Sequence, residues 1–150
     1  DPVANDKFAH KLDFLAKLGK GYKSLPKAAR ILVGDLNVAP HENDVWSHKQ
    51  LLKIVSHTSE ETELLEDSRQ TAGFADIARM AVPDEQKLYS WWSYRAKDWA
   101  AANKGRRLDH IWANPDALPN TKIDSYRVHL PWRGGWKPSD HAPISVKVGV

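Results

Sequence analysis

Cysteine is absent from this chain of 150 residues. Its absence excludes disulfide bonds, thiolate metal sites and a cysteine nucleophile, and it is consistent with a reducing compartment. Long apolar runs are also missing, because no segment approaches the roughly 18 consecutive apolar residues that cross a bilayer. With 41% hydrophobic and 27% charged residues, the chain has the composition of a globular domain and is long enough for a real core.

Two signatures of phosphate and acyl chemistry are missing as well. The sequence contains no glycine-rich phosphate-binding loop, and no serine occupies a nucleophile-elbow pattern. For a hydrolase, these absences favour direct attack by water over a covalent intermediate.

Positive charge is concentrated in the second half of the chain. The formal net charge is only +3, yet residues 95–137 contain nine Lys or Arg against four Asp. Such a face indicates a polyanionic partner, although an ordinary solvated surface is the alternative. Six of the seven tryptophans lie in or beside this segment, of which Trp112 belongs to an apolar run. The other five rings could stack on bases or sugars, and we expect at least three of them in the core. These five are Trp91, Trp92, Trp99, Trp132 and Trp136.

Residue periodicity predicts two helices and about five strands. One helix is expected from a cap at Asn5 or Asp6 to about Leu18, ended by Gly19, and a second from the capping box at 58–61 to about Thr71. Strands are predicted at 30–34, 88–94, 108–113, 123–130 and 144–150, with a short extended segment or turn at 74–78. These elements make an α/β (α+β) fold with mainly antiparallel strands flanked by helices.

Three histidines lie close together in sequence, at His41, His48 and His57. Their spacings of seven and nine residues match no compact zinc-ligand pattern. We therefore interpret them as surface or structural residues and not as a metal site.

Three short motifs place an aspartate at the end of an apolar segment. They contain Asp35 with Asn37, then Asp109, then Asp140 with His141. Hard oxygen ligands of this kind suit Mg²⁺ and Mn²⁺. If the strand ends meet, Asp109 is the candidate to hold the His141 imidazole in one tautomer. These features predict a metal-assisted hydrolase.

Four motifs taken together resemble the C-terminal half of exonuclease III, from the abasic-site endonuclease branch of the endonuclease/exonuclease/phosphatase superfamily. Their order and spacing both match, and the resemblance covers the chain from about Lys7. The motifs are GDLNVAP at 34–40, YSWWSYR at 89–95, GRRLD at 105–109 and SDHAP at 139–143.

The resemblance implies a role for each polar site residue. Asp35 would orient or deprotonate the attacking water, and Asn37 would hold that water or the scissile phosphate. His141, with Asp109 as its carboxylate partner, would stabilise the pentacovalent phosphorane. Asp140 would bind a Mg²⁺ or Mn²⁺ cofactor, in a metal-binding set that also includes Asp35, Asn37 and His141.

The resemblance also implies a substrate pocket. Trp91, Arg106 and Leu108 would line it, and a flipped-out abasic deoxyribose would enter it because an apolar pocket too small for a base selects a sugar that lacks one. Trp92 is expected in the core. The implied function is DNA repair: metal-dependent cleavage of the phosphodiester 5′ to abasic sites, with 3′–5′ exonuclease activity on duplex DNA.

The family fold is a four-layered α/β sandwich of the DNase I type, built from two pseudo-equivalent halves. We expect residues 1–150 to be the C-terminal portion of one such domain, without the N-terminal half that supplies the principal metal-binding glutamate. The sheet then needs a cover, which would be the missing half or a second copy of the chain. The implied location is cytoplasmic and bacterial in type, with nucleoid DNA as substrate.

Two alternatives remain at this stage. The protein could be another phosphodiesterase or phosphatase of the same superfamily, acting on a different phosphate ester. The chain by itself could instead be an inactive half-domain that binds DNA weakly or only assembles.

Overall fold

A computed structural model describes residues 5–149 as a set of short helices around antiparallel strands. The helices are α1 (Asp6–Lys23), α2 (His48–Leu51), α3 (Ser59–Ala72), α4 (Ile77–Ala81), α5 (Trp99–Ala102) and α6 (Leu130–Arg133). The strands are β1 (Ile31–Asp35), β2 (Ala75–Asp76), β3 (Trp91–Trp92), β4 (Gly105–Arg106), β5 (Asp109–Ala113), β6 (Thr121–Val128) and β7 (Ile144–Val148). Every strand pair described within 5–149 is antiparallel, and the α/β fold class is confirmed.

The central sheet has three strands in the order β1-β5-β2. β1 runs antiparallel to β5 in a register that pairs Asp35 with Asp109. Directly opposed residues on neighbouring strands share a face of the sheet, so these two carboxylates lie side by side at one end of it. The remaining strands form two separate pairs, β3–β4 and β6–β7.

The two faces of the central sheet pack against different layers. Side chains alternate between the faces along a strand. Leu32 and Trp112 accordingly bury against α1 and α3. Ile111 and Ala113 face the other way and pack against α4 and β6. The site residues at the sheet end are therefore held by two apolar cores.

Helix α1 is longer than predicted, because it continues through Gly19 to Lys23. A Cβ added at Gly19 would stand 2.3 Å from the carbonyl oxygen of Ser68 in α3. Glycine at this position therefore permits the close packing of α1 on α3 and does not end the helix. The N-cap is Asn5, whose side chain accepts a hydrogen bond from the Phe8 N–H, in agreement with the prediction.

Helix α3 matches its prediction closely. The Thr58 side chain accepts from the Glu61 N–H and the Glu61 side chain accepts from the Thr58 N–H, which makes a reciprocal capping box. Gly73 follows the helix in a left-handed conformation with φ of 73°. None of the helices described for residues 5–149 combines the length and apolar character of a membrane span.

The second half departs from prediction in its strand lengths. The aromatic segment 88–94 forms a strand only at Trp91–Trp92, because its neighbours bond to loops instead of to a second long strand. Residues 74–78 contain β2 and the start of α4, a helix that the sequence analysis missed and that Asp76 caps.

Five of the six tryptophans in or beside the basic segment, those considered for stacking, differ in their exposure. Trp92 is 4% exposed, Trp91 and Trp99 are half-buried, and Trp132 and Trp136 are 71% and 88% exposed. The expectation of at least three core rings is met only when the two half-buried ones are included. Trp92 packs against Tyr89 and Ala142, as expected for a core residue.

Candidate active site

Three segments of the chain meet at one end of the central sheet. Asp35 is the last residue of β1, and Asp109 is the first residue of β5. The Leu36 N–H donates to the Leu108 carbonyl at 3.0 Å, which continues the pairing beyond the strands. The sheet end therefore holds the turn after β1 firmly against the segment before β5.

The third segment, residues 140–142, joins this end through strand-like hydrogen bonds to residues 90–92. The Trp92 N–H donates to the Asp140 carbonyl at 2.9 Å, and the Ala142 N–H donates to the Ser90 carbonyl at 2.7 Å. His141 lies between these two bonds. This backbone pairing places the His141 imidazole beside Asp35 and Asp109 at the end of the sheet.

The His141 imidazole lies between two carboxylates. Its Nδ1 is 2.8 Å from Asp109 Oδ2, and its Nε2 is 3.8 Å from Asp35 Oδ2. Because a carboxylate can only accept, Nδ1–H is the donor to Asp109, and Nε2 faces Asp35. The His141 side chain is 29% exposed and that of Asp35 41% exposed, so both are accessible to a substrate.

Ser90 fixes the orientation of Asp109 and was not identified from the sequence. Its hydroxyl is buried, donates to Asp109 Oδ2 at 2.6 Å, and accepts from the N–H groups of Leu108 and Asp109 at 3.0 Å each. Asp109 Oδ2 therefore receives hydrogen bonds from both Ser90 and His141. The alternation of polar and aromatic residues around Ser90 was the only available signal, and it is common in strands.

Asn37 occupies a backbone conformation that is uncommon for residues other than glycine, with φ of 53°. Its N–H donates to Asp35 Oδ1 at 2.8 Å, an Asx-type turn that couples the two site residues. The Lys11 ammonium donates to the Asn37 carbonyl at 2.6 Å and lies 3.4 Å from its Oδ1. A lysine of α1 therefore holds the turn from behind.

Glu61 completes this support from inside the protein. Its carboxylate is buried, with no exposed area, and lies 2.5 Å from Lys11 Nζ. It also accepts hydrogen bonds from the Ser56 N–H and from the N–H and hydroxyl of Thr58. From the sequence, Glu61 is predicted only as part of the helix cap at 58–61, and no local pattern indicates its link to Asn37 through Lys11.

Asp140 is oriented by Trp91. The indole Nε1–H donates to Asp140 Oδ2 at 2.8 Å. The Arg106 guanidinium lies over the Trp91 ring, 5.3 Å from the ring centroid. Arg106 in turn donates to the Val55 carbonyl at 3.0 Å and the Ser56 hydroxyl at 2.8 Å, which fixes this pair as one wall.

A cavity of about 580 Å³ opens along the Trp91 and Arg106 wall. Its lining is aromatic and basic, and includes Trp46, Trp92, Trp99 and Lys104. Leu108, the third predicted pocket residue, is 4% exposed and packs with Ala39, Val45 and Leu51. The structure thus brings Leu108 beneath this wall and does not place it at the cavity surface.

Beneath the site lies a buried ionic network. Arg107 pairs with Asp44 and with Asp76, at 2.8 Å in each case, and Arg79 pairs with Asp44 at 2.5 Å. Burial alone would raise the pKa values of the two carboxyl groups, but the charge and hydrogen bonds of Arg107 outweigh burial and hold them below the ordinary value. The network is ionised and closed to solvent.

His110 adjoins this network as a neutral residue. Burial and the charge of Arg107 lower the pKa of His110 to about 4. Its Nε2–H donates to the Val38 carbonyl at 2.8 Å, and its Nδ1 lies 3.4 Å from Arg107 Nη1. This imidazole is a structural tie between β5 and the turn after β1.

The histidine-rich segment is also internally paired. His57 is buried and donates from Nδ1 to the Ala39 carbonyl at 2.7 Å, so that its Nε2 accepts from His48 Nδ1 at 2.8 Å. Burial lowers the pKa of His57. Among residues 5–149, no group of three or more His, Asp or Glu side chains is arranged to hold a metal ion.

The residues predicted to bind metal can be tested against this geometry. Asp140 and Asp35 each have a carboxylate oxygen that suits a hard cation, but His141 Nδ1 is taken by Asp109. The part of the chain that the structure describes therefore supplies oxygen ligands and does not complete a metal site.

Comparison with known proteins identifies relatives of this arrangement. Residues 14–141 match the Endonuclease/Exonuclease/phosphatase family. The chain is 32% identical over 122 residues to the exodeoxyribonuclease of Bacillus subtilis, covering 80% of the chain and 44% of that protein. It is 35% identical over 127 residues to the DNA repair nuclease APEX1 of Danio rerio, covering 80% of the chain and 36% of that protein.

The fold has a structural counterpart as well. An AP endonuclease from Archaeoglobus fulgidus superposes with a TM-score of 0.90 at 25% identity, over 99% of this chain and 57% of that one. The chain spans less than half the length of the two sequence relatives. On the extent of the family match, which includes β1, β5 and the His141 segment, the chain belongs to the Endonuclease/Exonuclease/phosphatase family.

Proposed function

We propose that the protein containing this chain is a DNA repair nuclease that hydrolyses phosphodiesters 5′ to abasic sites and removes nucleotides from 3′ ends. The observation that carries this proposal is the position of His141 between Asp109 and Asp35. Relatives named exodeoxyribonuclease and DNA repair nuclease support DNA as the substrate.

Asp35 and Asn37 would handle the attacking water. The Asp35 Oδ2 atom faces solvent beside His141, while its Oδ1 is held by the Asn37 N–H. One oxygen is thus fixed and the other is free to accept a proton from water during in-line attack. The Asn37 side-chain amide would donate to the scissile phosphate or orient that water.

His141 would stabilise the negative charge that develops on the phosphate. When both ring nitrogens carry a proton, Nδ1–H donates to Asp109 and Nε2–H, which points toward the open side of the site, can donate to the phosphate. A donor aimed at a developing oxyanion strengthens in the transition state, because it needs no reorientation there. Asp109 and Ser90 would keep the imidazole in that orientation through the Nδ1 hydrogen bond.

We infer that Mg²⁺ or Mn²⁺ assists this reaction as a Lewis acid on the phosphate oxygens. Asp140, Asp35 and the Asn37 side-chain oxygen would supply oxygen ligands, whereas His141, which the resemblance also implies as a ligand, has its Nδ1 taken by Asp109 and its Nε2 assigned to the phosphate. Since residues 5–149 do not complete a metal site, the remaining ligands would come from elsewhere in the domain.

The pocket would select an abasic sugar through its wall. Trp91 and Arg106 stack as one surface beside Asp140, and buried Leu108 supports them from below. An extruded deoxyribose without a base would pack on this wall, with its 5′ phosphate at His141. Unstacking is easiest at a nucleotide that already lacks a base.

We also propose that the chain forms the C-terminal portion of a single domain. β1 is an edge strand of the central sheet, and Val33 within it is 67% exposed. Unpaired edges with apolar residues are normally covered. The N-terminal half of the domain, or a second copy of the chain, would cover this edge.

The test uses a duplex with one tetrahydrofuran abasic analogue and the full-length protein with Mg²⁺. We expect a nick 5′ to the lesion and little cutting of undamaged DNA. Asp35→Asn should lower turnover by about a thousandfold while DNA binding is kept. The substitution removes the general base that takes a proton from the attacking water, and it removes no contact to a phosphate. Asp13→Asn, an exposed aspartate of α1 paired with Lys17, is the matched control and should cut normally.

Two outcomes would contradict the proposal. Equal cutting of damaged and undamaged duplexes would remove the abasic-site specificity, and normal turnover by Asp35→Asn would remove Asp35 from its role. Hydrolysis of phosphomonoesters or lipid phosphates without nicking of DNA would favour another branch of the superfamily. Nicking by residues 1–150 alone would show that this chain needs no second half.

A further inference from the structure

Two tryptophans stand exposed on one short loop that the proposed catalytic roles do not use. The tryptophan loop, residues 129–137, contains α6 and ends shortly before Asp140. Trp132 is 71% and Trp136 88% exposed, and the Lys137 ammonium lies 4.7 Å from the Trp136 ring centroid. Tryptophan is highly buried on average in globular proteins, so two strongly exposed rings on one loop are unusual.

The loop is anchored to the body of the protein by Arg133. That side chain is 3% exposed and donates to the Trp92 carbonyl at 3.0 Å. Its guanidinium lies 4.8 Å from the ring of Trp99 and 5.3 Å from that of Tyr94. The base of the loop is therefore fixed, and the two exposed rings are presented from a built platform.

The platform connects the loop to the proposed active site. Trp92, which Arg133 contacts, bonds through its N–H to the Asp140 carbonyl at 2.9 Å. Trp99, on which Arg133 stacks, lines the cavity that also includes Trp91. The Tyr94 hydroxyl donates to the Pro138 carbonyl at 2.6 Å, which ties the end of the loop to the same surface.

The charges around the loop favour a polyanion over an apolar partner. Arg95 and Lys104 line the cavity beside Trp99, on which Arg133 of the loop stacks, and Lys137 lies in the loop itself. Asp98 is an exposed acidic residue in the same stretch. The exposed cations are Arg95, Lys97, Lys104 and Lys137. In protein–protein interfaces lysine is depleted relative to the rest of the surface, and three of these four cations are lysines.

We propose that the tryptophan loop is a DNA-contacting surface, in which Trp132 and Trp136 stack on bases unpaired next to the scissile phosphate. This inference rests on the proposed nuclease function and extends it to the nucleotides beside the reacting one. Stacking on aromatic rings tolerates any base, so the surface would hold an opened strand without reading its sequence.

The experiment measures binding and base environment in the full-length protein. The probe is a duplex with a tetrahydrofuran lesion and 2-aminopurine at the neighbouring position, in EDTA to prevent cutting. We expect Trp132→Ala with Trp136→Ala to raise the Kd about tenfold and to abolish the quenching of 2-aminopurine seen with the wild type. The pair Trp132→Phe with Trp136→Phe keeps flat rings and should retain most binding and quenching.

Leu25→Ala is the control for removal of an exposed apolar side chain, since Leu25 is 46% exposed away from this surface, and it should leave the Kd unchanged. An unchanged Kd and unchanged quenching in the double alanine variant would overturn the proposal. So would a variant that loses only self-association in light scattering, because the rings would then form an interface between copies. If the wild type fails to nick but the alanine pair weakens DNA binding, the nuclease proposal fails and the DNA surface stands.

Discussion

The molecule contains two clusters of Asp, His and Arg residues that lie close together and behave differently. In the buried network, Arg107 is paired on both sides and His110 is sealed beside it. In the candidate active site, His141 is 29% exposed and one oxygen of Asp35 faces solvent beside it. Residue types alone do not separate the two clusters.

What separates them is completeness of pairing. Each buried charge has its partners inside the protein, so it stabilises the fold and has no capacity left for a substrate. The open site keeps Asp35 Oδ2 and His141 Nε2 at 3.8 Å, beyond a hydrogen bond, and Ser90 and Lys11 support its residues from behind. The comparison predicts that changes in the network alter stability, whereas changes in the supports alter turnover.

The largest effect is expected for Arg107→Met in the full-length protein. The substitution leaves Asp44 and Asp76 buried without their main counter-ion, and breaking such a pair costs about 3–5 kcal/mol. Urea denaturation followed by tryptophan fluorescence measures the loss. Arg127→Met, which changes an exposed arginine, should stay within about 0.5 kcal/mol of the wild type. A similar small loss for Arg107→Met would mean that the network contributes little.

His110 should make stability depend on pH. Its pKa is about 4 in the folded protein against an ordinary 6.5, so the unfolded chain binds more protons in that interval. Stability is fully present above pH 6.5 and should fall by about 3 kcal/mol as the pH drops toward 4. His57, whose pKa is also lowered, acts in the same direction.

Urea midpoints at several pH values between 7 and 4 check this expectation. His110→Gln keeps a donor for the Val38 carbonyl and removes the titrating group, so its stability should vary less over the interval. Asp44 and Asp76 have depressed pKa values, and their contribution is lost only below 3.8. If the free energy of unfolding depended on pH equally in the wild type and in His110→Gln, His110 would not be the source of the pH dependence.

Ser90→Ala removes a buried hydroxyl that supports Asp109 of the open site. Loss of the hydroxyl leaves the Leu108 and Asp109 N–H groups without an acceptor and removes one of the two donors to Asp109 Oδ2, a loss of about 1–3 kcal/mol in stability. We expect kcat to fall about thirtyfold with the Kd for DNA unchanged, because Asp109 no longer holds His141. Ser90→Thr keeps the hydroxyl and should recover most of kcat. Loss of stability without loss of kcat would make Ser90 a purely structural residue.

Lys11→Met is expected to have the smallest effect on kcat, a fall of about tenfold with KM unchanged. It also leaves the buried Glu61 carboxylate without its cationic partner, so we expect a loss of stability as well, and kcat is compared for folded protein at saturating substrate. The methionine fills the same space but releases the Asn37 carbonyl, so the Asn37 side chain loses its fixed position. Lys11→Arg should recover part of the loss. Lys17→Met, on the same helix but paired only with exposed Asp13, is the control. Equal effects of the two methionine variants would exclude a positioning role for Lys11.

Sequence patterns predicted the parts of the fold that depend on local chemistry. The capping box at Thr58 and the apolar strand ending at Asp35 needed only neighbouring residues, and both were recognised. The fit of Gly19 against Ser68 depends on a second helix almost 50 residues away, so α1 was predicted too short. Strand 88–94 was predicted too long because β3 pairs only with the two-residue strand β4, while other bonds of the segment go to loops.

The residues of the candidate site also divide into those that local patterns predicted and those that depend on distant contacts. The pairing of His141 with Asp109 was expected from two strand ends, and the structure brings them to 2.8 Å. Ser90, Lys11 and Glu61 were missed because each lies in an ordinary context, a strand-like alternation or the face of a helix. Their importance arises from contacts across the fold, which no local pattern encodes.

The candidate active site forms only when β1 pairs with β5 in the correct register. Asp35 stands opposite Asp109 only in the pairing that also sets Leu32 opposite Trp112. A shift by one residue would turn every side chain of β1 to the other face, exposing Leu32 and removing Asp35 from His141 together. A chain that mispairs at this sheet would therefore lose the carboxylate–imidazole arrangement and part of its core in the same event.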